Sequence, residues 1–258
     1  MKITPLNDEN KETFWNHINQ DPLNYYFFIL DLKEQPEKTK IYLAQEGSKI
    51  QGLMLIYDDR IVQLRGDRQA VEKLVEKVNF EQIELQAPTD CEDIVIKKYT
   101  PKLRYDLLLM KIDKGEEDIQ ISHETQRLGP KDAEQVARIM RRADPAWWGD
   151  VKAEDRKESL ETTYWLGIKQ DGKLVAVGNT RFEPVGSNIG IIATDEKYRN
   201  RGYATTIVSK LVREIMKKSP PALIHVLKHN APAVRAYSKV GYKPFKQYLL
   251  LRAAKKIT

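Results

Sequence analysis

The sequence predicts a mixed α/β (α+β) protein built from two tandem copies of one fold, each a mostly antiparallel sheet flanked by helices. The main observation is a repeated hairpin: two β-rich runs surround a turn at 46–48, and the same layout recurs around 171–172. A strand and then a helix follow each hairpin, at 60–78 and at 188–216. Because hairpin strands are antiparallel and strands joined through a helix are parallel, each sheet is expected to be mixed.

The composition is typical of a folded protein without a membrane segment. Of the 258 residues, 41% are hydrophobic and 31% are charged, which argues against a disordered or collagen-like chain. No window approaches the roughly eighteen apolar residues of a membrane span, and the first residues lack the apolar core of a signal peptide. We therefore expect a cytoplasmic protein with no membrane partner.

The net charge and the single cysteine exclude further classes of function. The charge of +6 is spread along the chain, without a basic stripe or an aromatic reading motif, so we expect no nucleic-acid partner. An anionic small-molecule cofactor suits this mild excess better. Cys91 is alone and cannot form an internal disulfide or a thiolate metal cluster. We therefore expect no metal site.

A polar segment divides the chain into two parts. Residues 110–120 (MKIDKGEEDIQ) are mostly charged and separate two regions of regular apolar pattern. The sequence predicts an N-terminal domain over 1–112, a linker over 113–120 and a C-terminal domain over 121–258.

Helical spacing of Ala133, Val136 and Met140 predicts the first helix of the C-terminal domain, over 130–142. An indole-rich loop at 144–150 follows, and a second helix at 152–161 leads into the hairpin. The elements predicted beyond the hairpin are a strand at 188–194, a helix at 203–216, a strand at 222–227, a helix at 232–240 and a final strand.

The strand-to-helix turn at 199–206 is the segment with the clearest chemistry. A helix N-terminus exposes unpaired backbone N–H groups at the positive end of the helix dipole, where a phosphate or diphosphate binds readily. Gly202 lets an anion approach the backbone, and the small Ala204 keeps a second approach open. Arg199 and Arg201 add positive charge, and Thr205 offers a hydroxyl donor.

Two motifs together resemble those of the GCN5-related N-acetyltransferase (GNAT) superfamily. Residues 199–204 (RNRGYA) resemble its R/Q-x-x-G-x-G/A diphosphate loop. Residues 230–242 (NAPAVRAYSKVGY) are similar to its N-x-x-A-x-x-x-Y-x-x-x-G-F/Y signature, in the same order and at the matching distance. The resemblance covers roughly residues 121–251 and implies that the C-terminal domain is the catalytic copy.

The resemblance implies an N-acetyltransferase, an acyltransferase that transfers groups other than aminoacyl, with acetyl-CoA or another acyl-CoA as co-substrate. The pantetheine arm would lie between a splayed pair of strands at 188–194 and 222–227, and a primary amine would attack the thioester directly. Tyr237 would protonate the departing thiolate. The implied cofactor-binding residues are Ile192, Ala193, Thr194, Arg199, Asn200, Arg201, Gly202, Tyr203, Ala204, Thr205, Asn230 and Tyr237.

The proton acceptor is not decided by the motifs. Some relatives keep a Glu where this chain has Asn188, which cannot act as a base. Others place a Glu where this chain has His225, and a free imidazole titrates near pH 6.5, which suits a base. Strand alternation also allows His225 to be a packed strand residue. Glu183 is a further candidate, and a chain of waters is the alternative.

Several other residues have two readings. Tyr237 shares an apolar helix face with Ala236 and Val240, so it is either the acid or a core aromatic. Trp147 and Trp148 either close the core or line the acceptor pocket. Arg235 and Lys239 are either exposed helix charges or contacts to the 3′-phosphate of the cofactor.

The N-terminal half resembles a degenerate copy of the same fold. It keeps the hairpin, but after residue 64 it has one glycine, Gly66, and no Asn…Tyr…Gly signature, so it is not expected to bind CoA. Its aromatic run at 24–28 is expected to pack against the other half or to border the acceptor cleft.

The alternative function for the whole chain is a non-catalytic acetyl-CoA-binding sensor or scaffold; a nucleic-acid-linked enzyme is supported by the mild positive charge alone. Amino acids, polyamines, antibiotics and peptide amines are all open as acceptors.

Overall fold

The structure is a computed structural model that describes residues 1–256, and the chain divides into two compact units. Unit 1 comprises Met1–Leu108, Leu227–His229 and the described residues from Lys246 to Lys256; unit 2 comprises Leu109–Val226 and Asn230–Phe245. The change of unit after Leu108 lies near the predicted linker. The final strand, which the sequence places in the C-terminal domain, instead belongs mostly to unit 1.

The first half of the chain contains a hairpin, a strand-helix-strand crossover and flanking helices. Its elements are β1 (Lys2–Pro5), α1 (Lys11–Ile18), α2 (Tyr26–Glu34), β2 (Thr39–Glu46), β3 (Lys49–Tyr57), β4 (Ile61–Gly66), α3 (Arg68–Lys77), β5 (Gln82–Pro88), α4 (Glu92–Lys98) and β6 (Tyr99–Ile112). The elements β5, α4 and β6 are not among those predicted from the sequence.

The second half repeats this order of elements. Its elements are β7 (Gln126–Arg127), α5 (Ala133–Ala143), α6 (Pro145–Trp148), α7 (Glu154–Thr162), β8 (Tyr164–Gln170), β9 (Lys173–Arg181), β10 (Ser187–Thr194), α8 (Tyr203–Lys218), β11 (Ala222–Leu227), α9 (Ala231–Lys239) and β12 (Lys243–Lys255). The predicted helices and strands of this half are all present, and the short β7 and α6 are additional.

Each unit is built on a mixed sheet, as the sequence predicts. The strand order in unit 1 is β1-β2-β3-β4-β5-β12-β6, and the order in unit 2 is β7-β8-β9-β10-β11. The hairpin strands are antiparallel in both units, whereas β4 with β5 and β10 with β11 are parallel. The mixture follows from the connections, because a strand that returns through a helix runs parallel to its predecessor.

Separate apolar clusters hold the two units. In unit 2, Val136, Ile139 and Met140 of α5 pack with Trp165 and Val177 of the hairpin, as the helical spacing of apolar residues in α5 predicts. In unit 1, the aromatic run at 24–28 contributes to a cluster with α1, since Tyr25 and Phe28 pack there. At the start of the run, Asn24 Oδ1 also accepts a hydrogen bond from the Tyr248 hydroxyl of β12 at 2.6 Å, so the run contacts a strand from the second half of the sequence as well. The buried rings of the run stabilise the unit that contains it.

No helix among residues 1–256 is long and apolar enough to cross a membrane. Within the same residues, no group of three or more His, Cys, Asp or Glu side chains is arranged to hold a metal ion. Cys91 is buried, and burial raises the pKa of its thiol to about 12, so the thiol does not act as a nucleophile at neutral pH.

Candidate active site

The site begins where β10 separates from β11. The parallel ladder joins Ser187, Asn188 and Ile189 to residues 222–224 and then stops. Both strands continue, β10 to Thr194 and β11 to Leu227. The pair is therefore splayed, as predicted, and the β11-facing backbone groups of residues 190–194 have no strand partner across the gap among the described ladder pairs.

The loop after β10 has a backbone shape that suits an anion. Asn200 and Gly202 both have left-handed φ values, of 62° and 81°, and Gly202 is the N-cap of α8 without a side-chain cap. The first N–H that bonds within the helix is that of Thr206, to the carbonyl of Gly202. The N–H groups of the preceding turn therefore point out of the helix end, where the dipole is positive.

Side chains from other elements hold this loop in place. Asp195 is buried, and its carboxylate accepts hydrogen bonds from the Lys197 N–H at 3.2 Å and from Arg142 at 3.1 Å. Burial alone would raise the pKa of Asp195, but these hydrogen bonds outweigh burial and lower the pKa. Arg199 donates to the carbonyl of Ala143 at 2.6 Å. The loop is thus tied to the C-terminal end of α5.

Residues just after the linker hold the loop from a second side. His123 Nε2 donates to the carbonyl of Arg201 at 2.7 Å, and its ring lies 4.4 Å from that of Tyr203. The Ser122 N–H donates to Thr206 Oγ1 at 3.2 Å. His123 and Ser122 therefore both lie against the loop.

A cleft joins the gap, the loop and α9. Its volume of about 710 Å³ lies within the usual range for a small-molecule site. All the predicted cofactor-binding residues line it except Arg201, whose guanidinium lies 5.3 Å over the Tyr198 ring. The cleft therefore brings together segments separated by nearly a hundred positions in the chain. Its lining residues are Ala143, Ile192, Ala193, Thr194, Tyr198, Arg199, Asn200, Gly202, Tyr203, Ala204, Thr205, Asn230, Pro232, Ala233, Arg235, Ala236, Tyr237 and Lys239.

The charges in the cleft are all positive. Arg199, Arg235 and Lys239 line it, and its lining contains no carboxylate. Arg235 and Lys239 lie one helical turn apart on α9, so they share a face. Sequence reasoning favours the interpretation of these two as exposed helix charges, and their two-residue spacing from Tyr237 gives no signal that they share its cleft. The cleft suits a ligand with several negative charges.

Asn230 has a structural role at the start of α9. Its Oδ1 accepts the N–H of Ala233 at 3.3 Å, the usual arrangement of an N-cap. The side chain also lines the cleft. The cap orients the amide, and its Nδ2 group is the part that can donate to a ligand.

Two buried tyrosines lie side by side beneath the cleft. The rings of Tyr237 and Tyr242 are 6.1 Å apart, and burial raises the pKa of both hydroxyls. Tyr237 lines the cleft, whereas Tyr242 has a buried hydroxyl without a hydrogen-bond partner among the described residues. Tyr237 therefore presents a phenol that stays protonated at neutral pH to the space where a ligand would lie.

The candidate bases do not line this cleft, in the part of the chain that the structure describes. His225 is the first residue of β11 beyond the ladder, and its Nδ1 donates to Asn188 Oδ1 at 3.3 Å. This contact lies at the closed end of the gap. Glu183 is buried in the turn between β9 and β10.

The two tryptophans also lie outside the cleft lining. Their rings meet edge to face at 6.3 Å within α6. Trp148 packs against the apolar cluster of unit 2, together with Ile191. The observed contacts of Trp148 thus fit the interpretation that it closes the core, and not the interpretation that it lines the acceptor pocket.

Unit 1 lacks the open helix end of unit 2. There β4 ends at Gly66, and the Asp67 carboxylate caps α3 by accepting the Ala70 N–H at 2.8 Å. Two residues beyond the last β4 ladder pair, the buried Arg65 donates to Gln63 Oε1 at 3.1 Å and to Gln86 Oε1 at 3.3 Å. The Asp67 carboxylate thus caps the helix that corresponds to α8, where unit 2 has Gly202. The Arg65 guanidinium bridges the two strands that correspond to β10 and β11, where unit 2 has the gap.

This arrangement, a hairpin, a splayed parallel pair and a glycine-capped helix, has the fold of the GNAT superfamily. Residues 165–251 match the family model described as FR47-like protein. The predicted resemblance is thereby confirmed at the level of the fold.

Solved structures share this fold over nearly the whole chain. A Drosophila protein is 13% identical, with a TM-score of 0.72, over 96% of this chain and 98% of its own. An acetyltransferase from the GNAT family of Colwellia psychrerythraea is 12% identical, with a TM-score of 0.59, over 99% and 100%. A tandem GNAT protein from the clavulanic acid biosynthesis pathway is 11% identical, with a TM-score of 0.58, over 98% of both chains. Comparison with curated protein sequences finds no match.

Proposed function

We propose that unit 2 is an acyl-CoA-dependent N-acyltransferase that transfers acetyl from acetyl-CoA to a primary amine by direct attack. The observation that carries the proposal is the cleft, where an unpaired strand edge, an anion-binding helix end and the Tyr237 phenol meet. Each matches one part of an acyl-CoA: the amides of the arm, the diphosphate and the thioester.

The residues present fit the charge and length of such a donor. The diphosphate would bind the N–H groups at the start of α8, where Gly202 removes the steric barrier and Arg199 supplies charge. The arm would pair with the backbone of Ile192–Thr194, because a strand edge without a partner accepts an extended ligand. Neither the binding of the diphosphate nor the binding of the arm requires a metal ion in this proposal.

When bound, acetyl-CoA supplies an activated acyl group. The amine nitrogen forms the new bond to the carbonyl carbon, the C–S bond breaks, and the sulfur takes a proton from Tyr237. The ammonium formed by attack loses its proton to a base. Because burial raises the pKa of Tyr237, its phenol holds a proton at neutral pH and can donate that proton when the sulfur develops charge.

We propose His225 as that base, with Asn188 as its partner. Since Asn188 Oδ1 can only accept, the Nδ1 atom of His225 carries the proton and Nε2 carries the lone pair. The ring lies at the closed end of the gap, beyond the last ladder pair. Because His225 is only half-buried, water can replace it in part.

His225→Ala is therefore expected to lower kcat/KM by roughly tenfold and to remove the acidic limb of its pH profile. Asn188→Leu should move that limb without removing it. An alanine variant with the full rate and an unchanged limb would show that water carries the proton alone.

The test of the function itself is turnover of acetyl-CoA with a panel of primary amines, followed by release of the thiol. The panel should include amino acids, polyamines, aminoglycosides and peptides with free N-termini or lysines. Acetylated product with at least one class supports the proposal. Binding of acetyl-CoA without turnover of any amine would favour the alternative, a sensor or scaffold.

The cations on α9 predict selectivity for the 3′-phosphate of the cofactor. Arg235 and Lys239 are exposed cations of the cleft and have no ion pair among the described residues. CoA should bind roughly tenfold more tightly than dephospho-CoA, and the double variant R235A/K239A should lose this difference. Calorimetry measures both affinities.

A variant with the same loss of charge provides the control. Lys217 and Lys243 are exposed and lie outside the cleft lining, so K217A/K243A should keep the preference. Equal affinity of the wild-type chain for the two cofactors would contradict the role of Arg235 and Lys239.

We also propose that unit 1 does not bind the cofactor, since the Asp67 carboxylate repels a diphosphate at its helix end. Titration should then give one acetyl-CoA per chain.

A further inference from the structure

The register of β10 shifts at one residue, beside the gap. Ile189 pairs with Thr180 of β9 and Ile191 pairs with Asn179, so Gly190 is an extra residue, a β-bulge. The ladder to β11 ends at Ile189 as well. The bulge and the opening of the gap therefore fall at the same point of the strand.

Two neighbouring side chains of β9 satisfy backbone groups at the bulge. Asn179 Oδ1 accepts the Ile191 N–H at 2.8 Å, and Thr180 Oγ1 donates to the carbonyl of Asn188 at 2.9 Å. Both side chains are buried. Because a bulge leaves ladder groups without a strand partner, these bonds replace the pairing that the shift removes.

The NH₂ end of the Asn179 amide has a partner of its own. Thr163 Oγ1 donates to the carbonyl of Ser159 at 2.7 Å, and it accepts from Asn179 Nδ2 at 3.4 Å. With its proton used, the threonine oxygen favours the NH₂ side of the amide. The carbonyl side of Asn179 therefore faces Ile191.

The glycine at the bulge matches this amide. A Cβ on Gly190 would lie 3.2 Å from Asn179 Oδ1, closer than ordinary contact. The Asn179 side chain and Gly190 therefore fit together, because the absence of a Cβ on Gly190 leaves room for the amide.

We propose that Asn179 is a positioning residue for the acyl donor: by holding the Gly190 bulge, it turns Ile192–Thr194 away from β11 and sets their backbone against the pantetheine arm. The inference rests on the proposed function of unit 2. It assigns a role to a buried amide that does not line the cleft.

The first experiment compares two replacements at this position. Asn179→Leu removes the acceptor at similar size, and Asn179→Asp keeps an oxygen in the same place. In the leucine variant, hydrogen exchange of the Ile191 amide should accelerate at least tenfold, and calorimetry should show acetyl-CoA binding weakened about tenfold. The aspartate variant should stay within a few-fold of wild type in both measurements.

A matched control keeps the bond to Ile191. Thr163→Val removes the partner of Asn179 Nδ2 and the donor to the Ser159 carbonyl but leaves the Asn179 Oδ1 acceptor beside Ile191, so exchange at Ile191 and cofactor affinity should change about twofold or less. If Asn179→Leu does not fold, Gly190→Ala provides the same test, because its methyl displaces the amide. Gly190→Ala should weaken binding in the wild-type background and have little further effect in an Asn179→Ala background.

The outcomes separate the inference from the function it rests on. A wild-type chain that does not bind acetyl-CoA overturns the proposed function. A wild-type chain that binds, with a folded Asn179→Leu variant of equal affinity and unchanged Ile191 exchange, overturns the role of Asn179 alone. Additive effects of Gly190→Ala and Asn179→Ala would also overturn it.

Discussion

Gly202→Leu is expected to weaken acetyl-CoA binding by about a hundredfold, as measured by calorimetry. Gly202 has a φ of 81° at the N-cap of α8, beside the N–H groups proposed to bind the diphosphate. A leucine there strains the left-handed backbone and covers those donors, and each lost hydrogen bond to a charged group removes about 1.5–3 kcal/mol.

Gly172→Leu is the matched control for this variant. Gly172 has a φ of 75° in the turn between β8 and β9, and a Cβ there would meet no atom within 4 Å. Both variants should lose similar stability, about 1–2 kcal/mol of left-handed strain, but only the Gly202 variant should lose the cofactor. Equal affinities in the two variants would rule out the helix end as the diphosphate site.

Gly66 of unit 1 is unsuitable as a control, although it ends the strand that corresponds to β10. Its φ is 129°, and a Cβ there would lie 2.4 Å from the carbonyl oxygen of Gln51. Substitution at Gly66 would therefore disrupt unit 1 whether or not that unit binds a cofactor.

Tyr237→Phe is expected to lower kcat by roughly a hundredfold while the Kd for acetyl-CoA stays near wild type. In the proposed mechanism the phenol donates a proton only as the C–S bond breaks, so its loss should affect the transition state and leave ground-state binding unchanged. Because burial raises the pKa of Tyr237, an alkaline loss of rate caused by its ionisation should fall above pH 10.

Tyr242→Phe is the control for a buried neighbouring phenol. Its hydroxyl has no hydrogen-bond partner among the described residues, so its removal should raise the free energy of unfolding by about 1 kcal/mol and leave kcat unchanged. Thermal unfolding and steady-state kinetics measure both effects. Normal turnover by Tyr237→Phe would assign Tyr237 to packing, like its neighbour.

Local patterns in the sequence were sufficient for the fold of the second half and for the centre of its site. The hairpin turn at 171–172, the helical spacing in α5 and the motif around Gly202 each depend on residues close together in the chain. Such features follow from turn chemistry, helical periodicity and the conformational freedom of glycine, so they can be read before any tertiary contact is known.

The same local patterns did not predict β5, α4 and β6 of the first half. Their burial comes from neighbouring strands and helices, including β12, which pairs with β5 from more than 150 residues away. The register of Tyr248 with Pro88, and hence the place of the last strand in unit 1, is a long-range property.

Within the proposed site, the sequence predicted the loop at 199–205 as the diphosphate-binding segment and Tyr237 as the acid. The tertiary structure decided that Arg235 and Lys239 join them, that His225 bonds to Asn188, and that Asn179 holds the bulge at Gly190. These last contacts link different strands or helices, and their geometry depends on where the β10–β11 ladder stops. The residue at which the β10–β11 ladder stops cannot be predicted from local sequence patterns. It depends on the packing of whole elements, because the length of the ladder and the splay of the two strands arise from the summed contacts of both strands.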